Sequence, residues 1–257
     1  MNTYSARDLW SVRLAMQERT VRVHCLTNLV AQSFTANTLL ACRAVPSMTI
    51  SPEEVADFTA SSGALLVNLG TLDAARKGAM LTAVSTAKAN GVPWVIDPVL
   101  VERSPTRCQF AHELLRYGPD AVRCNKPELD ALALERHSEH ADKTVVACTG
   151  AIDRISFGAQ PVIELSNGHP FMAQVTAMGC ALGAVMAASV ALVEDRRLAV
   201  AGALAFFSVA GELAGRQCSG PGSFPAAFLD QLYSISFEDF SACLNYRQVS
   251  NPQCEEG

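Results

Sequence analysis

A chain of 257 residues, 49% hydrophobic and 18% charged, is long enough to bury a full core and has the composition of an ordinary globular protein. Its formal net charge of -5 offers no basic surface, which disfavours nucleic acid and anionic membranes as partners. Residues 1–8 lack a basic flank followed by an apolar run, so no signal peptide is read there and the expected compartment is the cytoplasm.

The first predicted strand covers 21–25, and shorter helices are expected over 35–42 and 52–61. Further strands are predicted at 64–68, 94–97, 121–124 and 145–148. These runs are continuously apolar rather than alternating, as strands covered on both faces are. The helix over 73–90 is well delimited: Thr71 or Asp73 offers an N-cap, and Asn90-Gly91 with Pro93 closes it. This alternation predicts an α/β fold, a mostly parallel central sheet with helices on both faces.

Residues 154–157 and 162–165, joined through Gly158-Ala-Gln-Pro161, read as a hairpin or edge pair. From Cys180 onward the sequence reads as wholly helical. Its apolar stretches 180–193 and 198–210 are separated by Glu194-Asp-Arg-Arg197 and are each too short to span a bilayer, so two buried helices are expected. No linker or repeat interrupts the chain, giving one domain over 1–257 with a frayed polar end at 248–257. The nine cysteines show no C-x-x-C pair and no zinc spacing; eight are read as small buried hydrophobes with reduced thiols, and Cys180 stands apart.

In open parallel sheets ligands sit beyond the carboxyl ends of the strands. Polar groups follow the predicted strands there: Thr27-Asn28, Asn68, Asp97-Pro98, Asn125 with Glu128, and Thr149-Gly150. For any one of them a turn or cap role remains an open alternative. The stretch Gln174-Val-Thr-Ala-Met-Gly-Cys180 enters an apolar helix, where free amides would face a phosphoryl group; a simple tight turn is the other reading. There is no Walker A or G-x-G-x-x-G motif.

His24-Cys-Leu-Thr-Asn28, Phe34-Thr-Ala-Asn37, Asn68-Leu-Gly-Thr71, Asp97-Pro-Val99, Arg123-Cys-Asn-Lys-Pro-Glu128, Cys148-Thr-Gly150, Val175-Thr-Ala-Met-Gly-Cys180 and Gly220-Pro-Gly-Ser-Phe224 follow one another across nearly the whole chain. In that order they resemble the hydroxyethylthiazole kinases, which are ribokinase-like with a helical C-terminal third. The resemblance implies magnesium-dependent transfer of the ATP γ-phosphate to the hydroxyl of 4-methyl-5-(2-hydroxyethyl)thiazole, in thiamin salvage. By that likeness Arg123 and Thr149 contact ATP, while Met48, the Ala177 backbone and Asn28 belong to the thiazole pocket. Asp97 and Glu128 match the acidic residues of the magnesium end. Cys180 stands where related sugar kinases carry an aspartate base; a thiol is an indifferent base unless its pKa is lowered, which a helix N-terminus and a nearby cation can do, and packing at the first helical turn is the alternative. The likeness also implies a homotrimer with active sites at subunit contacts, to which 34–40 and 198–210 are candidates, with a place in the core the equal alternative.

Four departures from the family pattern stand out. Ala177 replaces a glycine, and its methyl group would resist a positive φ. Leu100-Val-Glu-Arg103 replaces small residues, placing Glu102 to hinder and Arg103 to assist anions. The segment 129–144 is markedly shorter than usual, and Cys124 replaces a glycine. Another kinase or hydratase of the same scaffold is the first competing function, opposed by Cys180 because those relatives carry aspartate there. A non-catalytic thiazole-binding protein is the second, opposed by the joint presence of Asp97, Glu128, Arg123 and Thr149.

Overall fold

The computed structural model describes residues 4–134 and 143–251. Its centre is a nine-stranded sheet. In chain order the strands are β1 (Arg22–Leu26), β2 (Val45–Ser47), β3 (Ala64–Asn68), β4 (Trp94–Asp97), β5 (Ala121–Asn125), β6 (Val145–Thr149), β7 (Asp153–Ser156), β8 (Val162–Leu165) and β9 (Tyr246–Val249). They lie in the order β2-β1-β3-β4-β5-β6-β7-β8-β9. Pairing is parallel from β2 through β6 and antiparallel from β6 to β9. The five predicted parallel strands are present within one residue of their expected limits, and the expected hairpin is β7 with β8.

The helices are α1 (Ala6–Glu18), α2 (Gln32–Ala41), α3 (Val55–Ala60), α4 (Ala74–Asn90), α5 (Pro105–Leu115), α6 (Lys126–Leu132), α7 (Met178–Leu192), α8 (Arg196–Gln217), α9 (Phe224–Ser234) and α10 (Phe237–Cys243). Successive residues of a strand face opposite sides, so each central strand feeds two cores. Leu66, Val95 and Ala121 join α1, α7, α8 and α9 on one side; Leu65, Val67, Ile96 and Val122 join α4 and α5 on the other. The continuous apolar character of these strands follows from that double burial. The cap of α4 is Asp73, which accepts from the Arg76 amide, and the helix ends at Gly91 in the left-handed region with φ 66°.

Two expectations need correction. The chain after Cys180 is not wholly helical, because β9 pairs antiparallel with β8, and the polar end is ordered as far as Asn251, whose side chain donates to the Gly158 carbonyl at 2.9 Å. The alternating, half-exposed Tyr246–Val249 becomes a strand because β8 offers it an unpaired edge. Residues 252–257 lie outside the described residues, as do 135–142, which make up half of the shortened segment. The expectation of buried helices holds: 198–210 belongs to the longer α8, which is long and apolar enough to cross a membrane, yet 83% of its apolar stretch is buried inside the fold. It is therefore a core helix of the domain.

Candidate active site

Because β1 and β3 to β6 run parallel, the polar residues at their carboxyl ends meet on one edge. Asn68 and Asp97 are register partners, as are Asn125 and Thr149. Asp97 is fully buried; its Oδ2 accepts from Asn68 Nδ2 at 2.7 Å, while Oδ1 makes no hydrogen bond and lies 3.5 Å from Arg123 Nη1. Burial pushes its carboxyl up to about 6, against the pull of the Arg123 charge and with a further push from Glu128. Arg123 reaches onward to donate from Nη2 to Thr149 Oγ1 at 2.7 Å. The carboxylate of Glu128 accepts from the Leu100 amide at 2.8 Å and the Asn125 amide at 2.9 Å, and the Glu128 amide in turn donates to Asn125 Oδ1, so a capping box at the start of α6 holds it in place.

Between Val175 and α7 the chain turns through Ala177, with φ 77° and ψ 0°. The first bond of the helix runs from the Ala181 amide to the Ala177 carbonyl, so the amides of Met178, Gly179 and Cys180 have no acceptor within the helix. The Arg123 guanidinium lies directly on this helix start: a Cβ built on Gly179 would stand 2.5 Å from Nη1. The motif therefore makes an anion cradle of three amides and a guanidinium, with the helix dipole favouring negative charge.

Among the described residues, three of the five non-glycine residues with positive φ border this edge: Thr71 at 49°, Leu100 at 58° and Ala177 at 77°. Each costs on the order of 1 to 2 kcal/mol in that region. The methyl of Ala177 is accommodated, but in a strained backbone. Ala177→Gly is expected to stabilise the protein by about 1 kcal/mol, raising the melting temperature by roughly 2 to 4 °C, as thermal denaturation would show.

Cys180 is buried, and Asn28 Nδ2 donates to its Sγ at 3.1 Å. Its thiol is pushed up to about 11, first by burial and then by the Asp97 charge, against the opposing influence of Asn68, Asn28 and Arg123. The condition for a basic thiol is therefore not met: removal from water outweighs the cation. The Asn28 side chain keeps its Oδ1 buried and without a hydrogen bond, an acceptor beside the thiol.

A cavity of 810 Å³ is bordered by Arg123, Glu128, Thr149, Ala177, Gly179 and Cys180. Asn28 and Asp97 adjoin it through the bonds just described. Met48, half-buried after β2 and packed against the core, does not border it. Glu102 and Arg103 pair with each other at 3.2 Å and border it no more than Met48 does. The sequence pointed to none of Asp153, Gly168, His169 and Ser208, which also line the cavity. Asp153 accepts from the Gly150 amide at 3.0 Å and from Ser208 Oγ at 3.2 Å, fixing the turn that carries Thr149. The Asn167-Gly168-His169 run following a strand was the available signal.

Among the described residues no group of three or more His, Cys, Asp or Glu is arranged to hold a metal by itself. Two carboxylates, one of them with a buried oxygen free of hydrogen bonds, do suit magnesium, which keeps several waters and takes one or two carboxylates plus substrate phosphates. Asp97 and Glu128 would hold it.

A parallel sheet whose carboxyl edge presents an Asp, an Asn-x-x-Glu run and a helix N-terminus suits the binding of phosphate and a divalent ion, and the fold is ribokinase-like. The sequence model of the hydroxyethylthiazole kinase family matches residues 14–141 and 138–238. The chain belongs to this family. It is 42% identical over 232 residues to a probable hydroxyethylthiazole kinase of Agrobacterium fabrum, covering 90% of each chain. It is 45% identical over 231 residues to the hydroxyethylthiazole kinase of Klebsiella pneumoniae, covering 82% of this chain and 89% of that one. The solved hydroxyethylthiazole kinase of Pyrococcus horikoshii OT3 superposes with a TM-score of 0.88 at 31% identity, over 95% of this chain and 100% of that one.

Proposed function

We propose that this kinase transfers the γ-phosphoryl group of ATP to the hydroxyl of 4-methyl-5-(2-hydroxyethyl)thiazole. The observation that supports it most directly is the seat of Arg123: on the amides that open α7, between Asp97 and Thr149, with Cys180 one residue along the same turn. Phosphoryl transfer passes through a loose transition state, so positioning and charge neutralisation supply most of the acceleration. Arg123 and the amides of Met178 to Cys180 neutralise and orient the phosphates, and Thr149 fixes the second face of the guanidinium. Magnesium, when bound at Asp97 and Glu128, adds neutralising charge at the same end.

The alcohol lies on the other side of this cradle, against Asn28, Cys180 and the Ala177 backbone. The Asn28 Oδ1 accepts the alcohol proton's hydrogen bond, and the neutral Cys180 thiol positions the oxygen. A thiol held near 11 stays protonated at neutral pH and does not take the alcohol's proton, which leaves late, to an oxygen of the transferred phosphoryl group or to water, as a loose transition state allows. Cys180→Ala is accordingly expected to lower kcat by about tenfold, below the usual contribution of a full general base, whereas Cys180→Asp keeps or raises turnover. Equal rates in all three proteins would remove Cys180 from the mechanism.

Met48 enters the pocket in this reading from a neighbouring subunit surface. The exposed apolar side chains of Leu29, Val30 and Leu40 lie near Asn28 and α2 and suit contact with a second copy in a homotrimer. Sedimentation as a monomer would remove that part. Eight described cysteines, all free thiols, suit a reducing cytoplasm. The whole assignment is tested by ADP release from purified protein with hydroxyethylthiazole, ATP and magnesium, with hydroxymethylpyrimidine as comparator. ADP release with hydroxyethylthiazole well above the pyrimidine is expected; thiazole bound in calorimetry with no ADP formed from either alcohol would refute it.

A further inference from the structure

Asn68 ends β3 with no exposed surface, in a strand whose five residues are all buried. A buried amide is unfavourable unless its bonds are made, and here they are made on both ends. Its Oδ1 accepts from the Gly70 amide at 3.0 Å and from Asn28 Nδ2 at 3.3 Å, and its Nδ2 donates to Asp97 Oδ2 at 2.7 Å. The orientation of the group is determined, because a backbone amide can only donate and a carboxylate at its shortest contact accepts. Gly70 makes the arrangement possible: a Cβ there would stand 2.6 Å from Asn28 Cβ and 3.0 Å from Asn68 Oδ1.

The consequence spreads in two directions. Since Asn28 turns its Nδ2 toward Asn68 Oδ1 and Cys180 Sγ, its Oδ1 must point the other way, where it is buried and makes no hydrogen bond. Since Asn68 holds Asp97 Oδ2, it is Oδ1 that faces Arg123 without a hydrogen bond. We propose that Asn68 is a positioning residue that sets both ends of the reaction at once, aiming the Asn28 acceptor at the alcohol and the Asp97 Oδ1 at the phosphate side. It touches neither substrate. The proposal rests on the thiazole kinase reading above and adds to it a residue that acts through Asn28 and Asp97.

Two variants test it, with thermal melting run alongside. Asn68→Ala removes both functions and is expected to weaken hydroxyethylthiazole binding about tenfold in calorimetry and to lower kcat at least tenfold, while the KM for ATP stays within about twofold. Loss of folded protein alone would reduce the measured kcat and leave the Kd of the remaining sites unchanged. Asn68→Asp keeps the acceptor toward Asn28 and Gly70 but replaces the donor facing Asp97 with an oxygen. It is expected to restore thiazole affinity to within about twofold of wild type without restoring kcat. A wild-type Kd in Asn68→Ala, or wild-type kcat in Asn68→Asp, overturns the proposal alone if the wild-type protein binds and phosphorylates the thiazole. A wild-type protein inert toward that alcohol overturns the functional reading and this proposal with it.

Discussion

Asp97→Asn is expected to reduce kcat/KM by on the order of 10²- to 10³-fold, the loss typical of removing one preorganised electrostatic contact from a water-poor site. The side chain is fully buried, one oxygen is held by Asn68, and the other faces Arg123 at 3.5 Å without a hydrogen bond. An amide keeps the size and can still accept from Asn68, but it brings no charge to a cation and no counter-charge to Arg123. Steady-state ADP release at several magnesium concentrations checks this. Activity in Asp97→Asn within about fivefold of wild type would show that the carboxylate serves the fold rather than the reaction.

The second large effect concerns a residue with no functional side chain. Gly179→Ala is expected to cost about 10²-fold in turnover, because a displacement of roughly 1 Å at a reacting centre is enough for that. The added methyl carbon would stand 2.5 to 2.7 Å from the three outer guanidinium atoms Nη1, Cζ and Nη2 of Arg123. The colliding group is the far end of a flexible side chain, so Arg123 can swing aside at little cost to stability. It then loses its bond to Thr149 and its place on the helix start. A melting temperature within a few degrees of wild type, together with lost activity, is the expected pair of results. An alanine variant with normal turnover would mean that the seat of Arg123 is not needed for phosphate binding.

The sheet and its reactive edge could be read from the chain because both depend on local patterns. Runs such as 64–67 and 94–96 are apolar throughout, which double burial demands, and polar residues placed after such runs gather on one edge once the strands are parallel. What escaped was decided by partners far along the chain. The three-residue β2 contains Pro46, which argues against a strand until an outer position makes its missing amide harmless. Ser5 caps α1 in reciprocal fashion with Asp8, rather than with the glutamate or glutamine that usually signals such a start.

The same distinction holds within the site. The glycine-to-alanine change at 177 flagged a positive φ before any coordinates, since that dihedral is a property of the turn itself. The direction of the Cys180 pKa could not be read in advance, because it depends on how deeply the strands and α7 bury the thiol and on the charge of Asp97, and neither is a neighbour in sequence. Asp153 and Ser208, 55 positions apart, meet only through the packing of β7 on α8.

The outer strand β9 carries a cost for biosynthesis. It covers an edge laid down some eighty residues earlier in the chain, and Tyr246 Oη donates to the Tyr4 carbonyl across a separation of 242 positions. Contacts that distant form late, so a nascent or truncated polypeptide lacking its last strand leaves the backbone of β8 bare. During that interval the bare ribbon is a template for pairing with other chains, and the window for misassembly closes only when translation has passed Val249.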